Sequence, residues 1–132
     1  MITTVIGLLD AIRTQLTQFD VPAPWSVTVN TYLDPPNLTL QITCRELAEL
    51  AGALLAWADT LTAVTAEAWR VPDGKSVHLS ITGRLPCGES LRIYGAVPVT
   101  KDGIGADLAP GAATTIPLVA LRRLTTPGQV MV

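Results

Sequence analysis

Charge is what this chain has least of. Only 15% of its 132 residues are Asp, Glu, Lys or Arg, against about 25% in a typical soluble domain. The few charges nearly cancel, with nine Lys or Arg against eleven Asp or Glu, and no run of like charge occurs. Proteins that grip duplex nucleic acid draw most of their affinity from a basic footprint, and the totals supply none. So poor a stock of charge leaves a surface built largely from Thr, Ser, Ala, Gly and Pro. Such surfaces are commonly covered in an oligomer or by a partner; a Thr-rich monomer is the plainer alternative.

Histidine and cysteine are scarcer still. One His and two Cys, Cys44 and Cys87, match no zinc-ligand spacing, so no metal is expected. Long apolar runs are also missing: nothing approaches the roughly 18 residues of a membrane-spanning helix. The opening stretch has no basic flank, and Asp10 interrupts it, so it does not read as a signal peptide. A cytoplasmic protein with no membrane attachment is expected, its thiols reduced, although two cysteines allow one disulfide. Arginine outnumbers lysine seven to two and Asn is rare, the usage of a GC-rich bacterial or phage coding sequence.

What is present is periodic. Val5, Leu8, Leu9, Ile12, Leu16 and Phe19 share one helical face, with Thr3 or Thr4 as a cap and "DVPAP" as a stop. The period then drops to two. Trp25, Val27, Val29 and Leu33 alternate with Ser26, Thr28, Asn30 and Tyr32, and Leu38, Leu40, Ile42 and Cys44 with Thr39, Gln41 and Thr43. The turn "DPPN" between them predicts a hairpin pairing Leu33 with Leu38 and Val29 with Ile42. Thr43 and Glu46 form a capping box for a second helix. Its stripe is Leu47, Leu50, Ala51, Leu54, Ala58 and Leu61, with Trp57 at the edge.

Residues 62–71 lack clean alternation, but "VPDGK" after them is a turn signal, so a third strand is expected there rather than an extended helix. It places Glu67 and Trp69 together on a candidate core face. Strands four and five, "SVHLSITGRL" and "SLRIYGAVPV", carry Val77, Leu79, Ile81, Leu91, Ile93 and Val97 inward. Pairing Leu85 with Leu91 sets Arg84 opposite Arg92. Residues 100–115 are small and turn-rich, the signature of a mobile loop. "TIPLVALRRL" then reads as a short helix with Thr115 as its cap and Pro117 in its first turn.

Does any constellation carry chemistry? "GRLPCGES" offers a thiol near the single histidine. On one straight hairpin, however, His78 lies roughly 20–30 Å from the tip at about 3.3 Å per residue, far beyond the hydrogen-bond reach a thiol–imidazole pair needs. The acids sit mostly in turns and at helix ends; Glu67 is expected near a strand end, reaching solvent. "GIGAD" lacks the third glycine of a dinucleotide loop. No catalytic residue and no cofactor is assigned.

The expectation is therefore a single α+β domain over 1–132, ordered α-β-β-α-β-β-β-α. An antiparallel five-stranded sheet carries its helices on one face. The open, Thr/Ser-rich face or a sheet edge makes contact, with Tyr32, His78, Thr82, Arg84, Arg92 and Tyr94 as interaction residues. The function read from this is a non-enzymatic interaction or assembly protein of a bacterium or phage, a homo-oligomer self-associating through that face or edge, or else bound to a protein partner. The alternative is a small nucleic-acid-binding module using the Arg/Tyr patch.

Overall fold

A computed structural model describes residues 5–32 and 36–125. It is α+β, with three helices and one six-stranded mixed sheet. Helix α1, Val5–Gln18, leads into the strand pair β1, Ser26–Asn30, and β2, Asn37–Gln41. Helix α2, Leu47–Ala58, then crosses to the meander β3, Thr62–Arg70, β4, Ser76–Arg84, and β5, Ser90–Pro98. Strand β6, Ala113–Ile116, and helix α3, Leu118–Leu124, complete the order. In space the strands run β1-β2-β5-β4-β3-β6.

Two features correct the expected sheet. First, β2 and β5 are parallel, pairing Leu38 with Leu91 and Leu40 with Ile93. A helix between two strands is a crossover that returns the chain to the same end. Thus β3 leaves α2 running parallel to β2, and two antiparallel steps bring β5 alongside in the same direction. Second, there are six strands. Residues 113–116, expected as loop and helix cap, pair with β3 through Ala66–Ile116 and Glu67–Thr115. Thr115 therefore lies in a strand, and Pro117 with extended backbone is the N-cap of α3. The β-branched pair Thr114 and Thr115 suits that edge.

Both expected registers slip by an even number of residues. Val29 faces Leu38 rather than Ile42, and Gly83 rather than Leu85 faces Leu91. An even slip leaves every side chain on its original face, so the apolar side survives. Leu38, Leu40, Ile42, Val77, Leu79, Ile81, Leu91, Ile93 and Val97 are all buried against the helices. The expected pairing of Leu85 with Leu91 makes Cys87, Gly88 and Glu89 the hairpin tip, and the tip forms one residue earlier. Gly88 donates its N–H to Leu85 O at 2.8 Å and Leu85 to Glu89 O at 2.9 Å. The loop is Pro86-Cys87-Gly88, closed by Gly88 at φ +94°, a conformation that glycine adopts without strain. Cys87 is exposed at this tip, and both cysteines are free.

The helices depart from their expected faces. In α1 only Leu8, Ile12 and Gln15 are buried, while Val5, Leu9 and Leu16, with Phe19 just beyond, stay exposed. The rotation is fixed by Gln15, whose Nε2 donates to Thr60 Oγ1 at 2.7 Å and to Thr60 O at 3.2 Å. Trp57, expected at the stripe's edge, is fully buried, its indole N–H donating to Pro22 O at 2.9 Å. The Thr43 capping box does not form: the N-cap of α2 is Glu46, with no side-chain cap bond. Ile42 still donates to Tyr94 O at 2.9 Å, so the sheet holds the chain extended where that cap would start. Thr3, Thr4 and Leu33 lie outside the described residues.

Residues 100–112 form successive turns fastened by Arg70. Its guanidinium donates to Gly74 O at 3.0 and 3.1 Å, Ala106 O at 3.1 Å and Leu108 O at 2.8 Å. Among the described residues no helix is long and apolar enough to cross a membrane.

Candidate functional site: an aromatic column on the open sheet face

The side chains opposite the core form rows across the strands. One row runs Ser26, Gln41, Tyr94, Ser80, Glu67, Thr115; the next runs Thr28, Thr39, Arg92, Thr82, Thr65. On the other side of Tyr94 lie Ala96, His78, Trp69 and Ala113. The face is a field of small hydroxyl and amide side chains with a cluster of large ones at its centre.

That cluster is a continuous column. Trp69 meets His78 edge to face, with ring centroids 5.0 Å apart and planes at 81°. His78 stacks on Tyr94 at 5.3 Å and 20°. The Arg92 guanidinium carbon stands 4.8 Å from the centre of the Tyr94 ring. Strand geometry explains the order. Trp69 and His78 are directly paired across β3 and β4, whereas His78 and Tyr94 are diagonal neighbours, within reach of aromatic side chains. Arg92 and Tyr94 are two apart on β5 and so share a face. His78 lies one row toward Ala96 and Arg92 one row the other way, so they flank Tyr94. His78 and Tyr94 thus lie face to face, while Trp69 meets His78 at a steep angle.

The column is half-buried and has one polar anchor. The Trp69 indole N–H donates to Gly111 O at 3.2 Å, tying one end to the loop before β6. Burial first, and the Arg92 charge second, hold the His78 imidazole below its ordinary pKa of 6.5. His78 is thus a neutral aromatic member of the column at neutral pH. Arg92 makes no ion pair among the described residues, and the only acid in the central rows is the exposed Glu67.

The sequence-derived residues distribute unevenly. His78, Thr82, Arg92 and Tyr94 come together, Thr82 directly opposite Arg92. Arg84 does not face Arg92; it pairs with Ser90 and donates to Gly88 O at 3.0 Å, bracing the hairpin tip. Tyr32 is 83% exposed beyond the end of edge strand β1, away from the column. Trp69 and Glu67 lie on the open face and not on a core face. The buried residues on that strand are the small Ala66 and Ala68. Residue type misled here, for tryptophan reads as core; registering β3 against β4 across the Val71–Lys75 turn would have set Trp69 opposite His78.

Elsewhere, Cys87 borders a cleft of about 340 Å³ with Asp10, Thr14, Gln18 and Leu85, and His78 is not part of it. Cys44 is partly buried, and burial, then Glu49, push its thiol pKa up. Among the described residues no three His, Cys, Asp or Glu side chains gather as a metal site. Set against known protein families, curated proteins and solved structures, the chain shows no significant match to any of them.

Proposed function

We propose that this chain is a non-enzymatic interaction protein of a bacterial or phage cytoplasm, and that its open sheet face engages a protein partner. The observation that carries this reading is the Trp69–His78–Tyr94–Arg92 column, held half-exposed in the middle of a face that no helix among the described residues covers. Trp, Tyr and Arg side chains are the residues that dominate the energetics of protein interfaces. Packing against one another fixes their rotamers before contact, which lowers the entropy cost of binding. The surrounding Thr, Ser, Gln and Asn side chains match the polar rim of such interfaces.

Single-stranded nucleic acid is the competing occupant, because bases also stack on sheet-borne aromatics. Base stacking needs a free ring face, and both faces of Tyr94 are occupied, by His78 and Arg92. One arginine in the column is also a thin electrostatic footprint for a chain of net charge −2. Both points favour protein.

The test is affinity capture from the source organism, run beside a titration with single-stranded oligonucleotide at low salt. A partner captured by the wild type and lost with Tyr94→Ala/Arg92→Ala, at unchanged circular dichroism, supports the reading. Capture that the double substitution leaves intact refutes it. Salt-sensitive oligonucleotide binding that Arg92→Ala abolishes would replace it with the nucleic-acid reading.

A further inference from the structure

Beyond the open face, a second surface has the composition of an interface. Strand β1 is one edge of the sheet, and its core-side residues are not fully covered: Val27 is 39% exposed and Trp25, just before the strand, 73%. Helix α1 packs above this edge. Its Asp10, Thr14 and Gln18 flank turns toward the hairpin tip at Leu85–Cys87, so the opposite flank points outward past β1. At 100° per residue that outward flank carries Val5, Leu9 and Leu16, with Phe19 beyond the helix end, all between 37% and 45% exposed. The apolar layer between helices and sheet is thus cut open along the β1 edge.

The edge itself is unguarded. Natural edge strands are usually blunted by charge, proline, a bulge or short length. The opposite edge, β6, has four residues and runs into Pro117. Strand β1 has five residues, Ser-Val-Thr-Val-Asn, with neither charge nor proline. It is also self-complementary. Antiparallel pairing with its own copy about Thr28 sets Val27 against Val29 of the second copy and Ser26 against Asn30. Every apolar residue then stays on the helix side.

We propose that a second copy of this chain docks here, joining β1 to β1 about a two-fold axis and continuing the sheet across both protomers. The occupant follows from the match of three properties: a strand edge unpaired among the described residues, an apolar row in register with itself, and a helix flank on the same side. The two α1 helices then lie side by side over the joint and cover each other's exposed flank. A fully exposed aromatic side chain presents about 150–250 Å², and Val and Leu lie toward the lower end of that scale. On that scale the exposed parts of Val5, Leu9, Leu16, Phe19, Trp25 and Val27 come to about 550 Å² per protomer. Two copies bury at most about 1,100 Å² of this apolar surface, at the roughly 1,000 Å² of a specific interface, before the strand backbones are counted. This dimer does not use the aromatic column, which stays open on the reverse face of each protomer.

Size exclusion with light scattering, from micromolar to millimolar protein, should give twice the chain's 13.9 kDa. The mass should return to monomer with Leu9→Lys/Trp25→Ser and remain dimeric with Tyr94→Ala/Arg92→Ala, which separates this surface from the open face. A crosslink keeps the test decisive should the first variant misfold. In a Cys87→Ser background, Thr28→Cys places two thiols on the axis. Antiparallel Cα separations of about 4.5–5.5 Å lie within disulfide range. Mild oxidation should convert the Thr28→Cys protein to a covalent dimer and leave a Thr115→Cys control, on the β6 edge, monomeric. A wild-type monomer at every concentration overturns the proposal. So does a dimer that neither crosslinks through position 28 nor responds at Leu9 and Trp25.

Discussion

The imidazole of His78 lies against the phenol ring of Tyr94, with centroids 5.3 Å apart and planes 20° from parallel. This stack sets a direction of pH dependence. Folding lowers the His78 pKa through burial and then through Arg92, so the unfolded chain takes up the proton first. The sign follows: the contribution of His78 to stability is complete above the ordinary value of 6.5 and is lost as pH falls below it toward the folded value. Urea midpoints of wild type and His78→Gln, compared from about pH 8 to about pH 5, should converge as the solution is acidified. A difference that stays constant or widens would contradict the assignment.

Gly95 ties the open face to the core. It sits between Tyr94 and Ala96 on β5, opposite Leu79, and Leu50 of α2 occupies the space a Cβ would need. The Ile42 carbonyl closes the site from the other side, at 3.0 Å from that Cβ. Gly95→Ala must therefore displace the buried Leu50 side chain or lift α2, an overpacking cost of about 1–3 kcal/mol. Chemical denaturation measures it directly. A variant as stable as wild type would mean that Leu50 or α2 gives way freely over β5. Gly83, which approaches Leu61 less closely, should cost less.

How much of this was legible follows from parity and from distance along the chain. Alternation is a local property. It placed Val77, Leu79, Ile81, Leu91, Ile93 and Leu40 inside, and His78, Thr82, Arg92 and Tyr94 outside, even though both hairpin registers had slipped. Register is set by turn geometry, and the turn after Leu85 begins with Pro86, one residue earlier than the sequence suggested. The parallel β2–β5 pair joins residues some fifty positions apart; its signal lay in the order strand–helix–strand. Strand β6 was hidden because "ATTI" is too short to show a period and stands beside a proline that starts a helix. The Trp69 end of the column is hidden for a different reason: on an irregular strand the type of an aromatic points to the core, and only its pairing with His78 places it outside.

Arg70 explains how a turn-rich stretch without strand or helix is held. One guanidinium reaches three carbonyls, Gly74, Ala106 and Leu108, using the planar fork that lysine lacks. Arg70→Ala leaves those acceptors without their charged donor, at about 1.5–3 kcal/mol for a hydrogen-bonded charge. Arg70→Lys should recover only part of it. Amide exchange should quicken over 103–112 in Arg70→Ala and remain slow in β4 and β5. Uniform loss of protection across the sheet would show that Arg70 supports the whole fold and not this segment.

The two thiols should separate cleanly in reactivity. The thiolate is the reacting form. Cys87 stands exposed at the hairpin tip, whereas Cys44 packs partly against the core. Burial and the neighbouring Glu49 carboxylate both disfavour ionisation of Cys44. A colorimetric disulfide reagent at mildly alkaline pH should thus label one thiol fast and one slowly, and Cys87→Ser should remove the fast phase. Glu49→Gln takes away the carboxylate's charge and leaves burial, the larger effect, in place. It should quicken the slow phase modestly without merging the two. A slow phase unchanged by Glu49→Gln would assign all of its protection to burial, and equal rates for both thiols in the native protein would remove the distinction altogether.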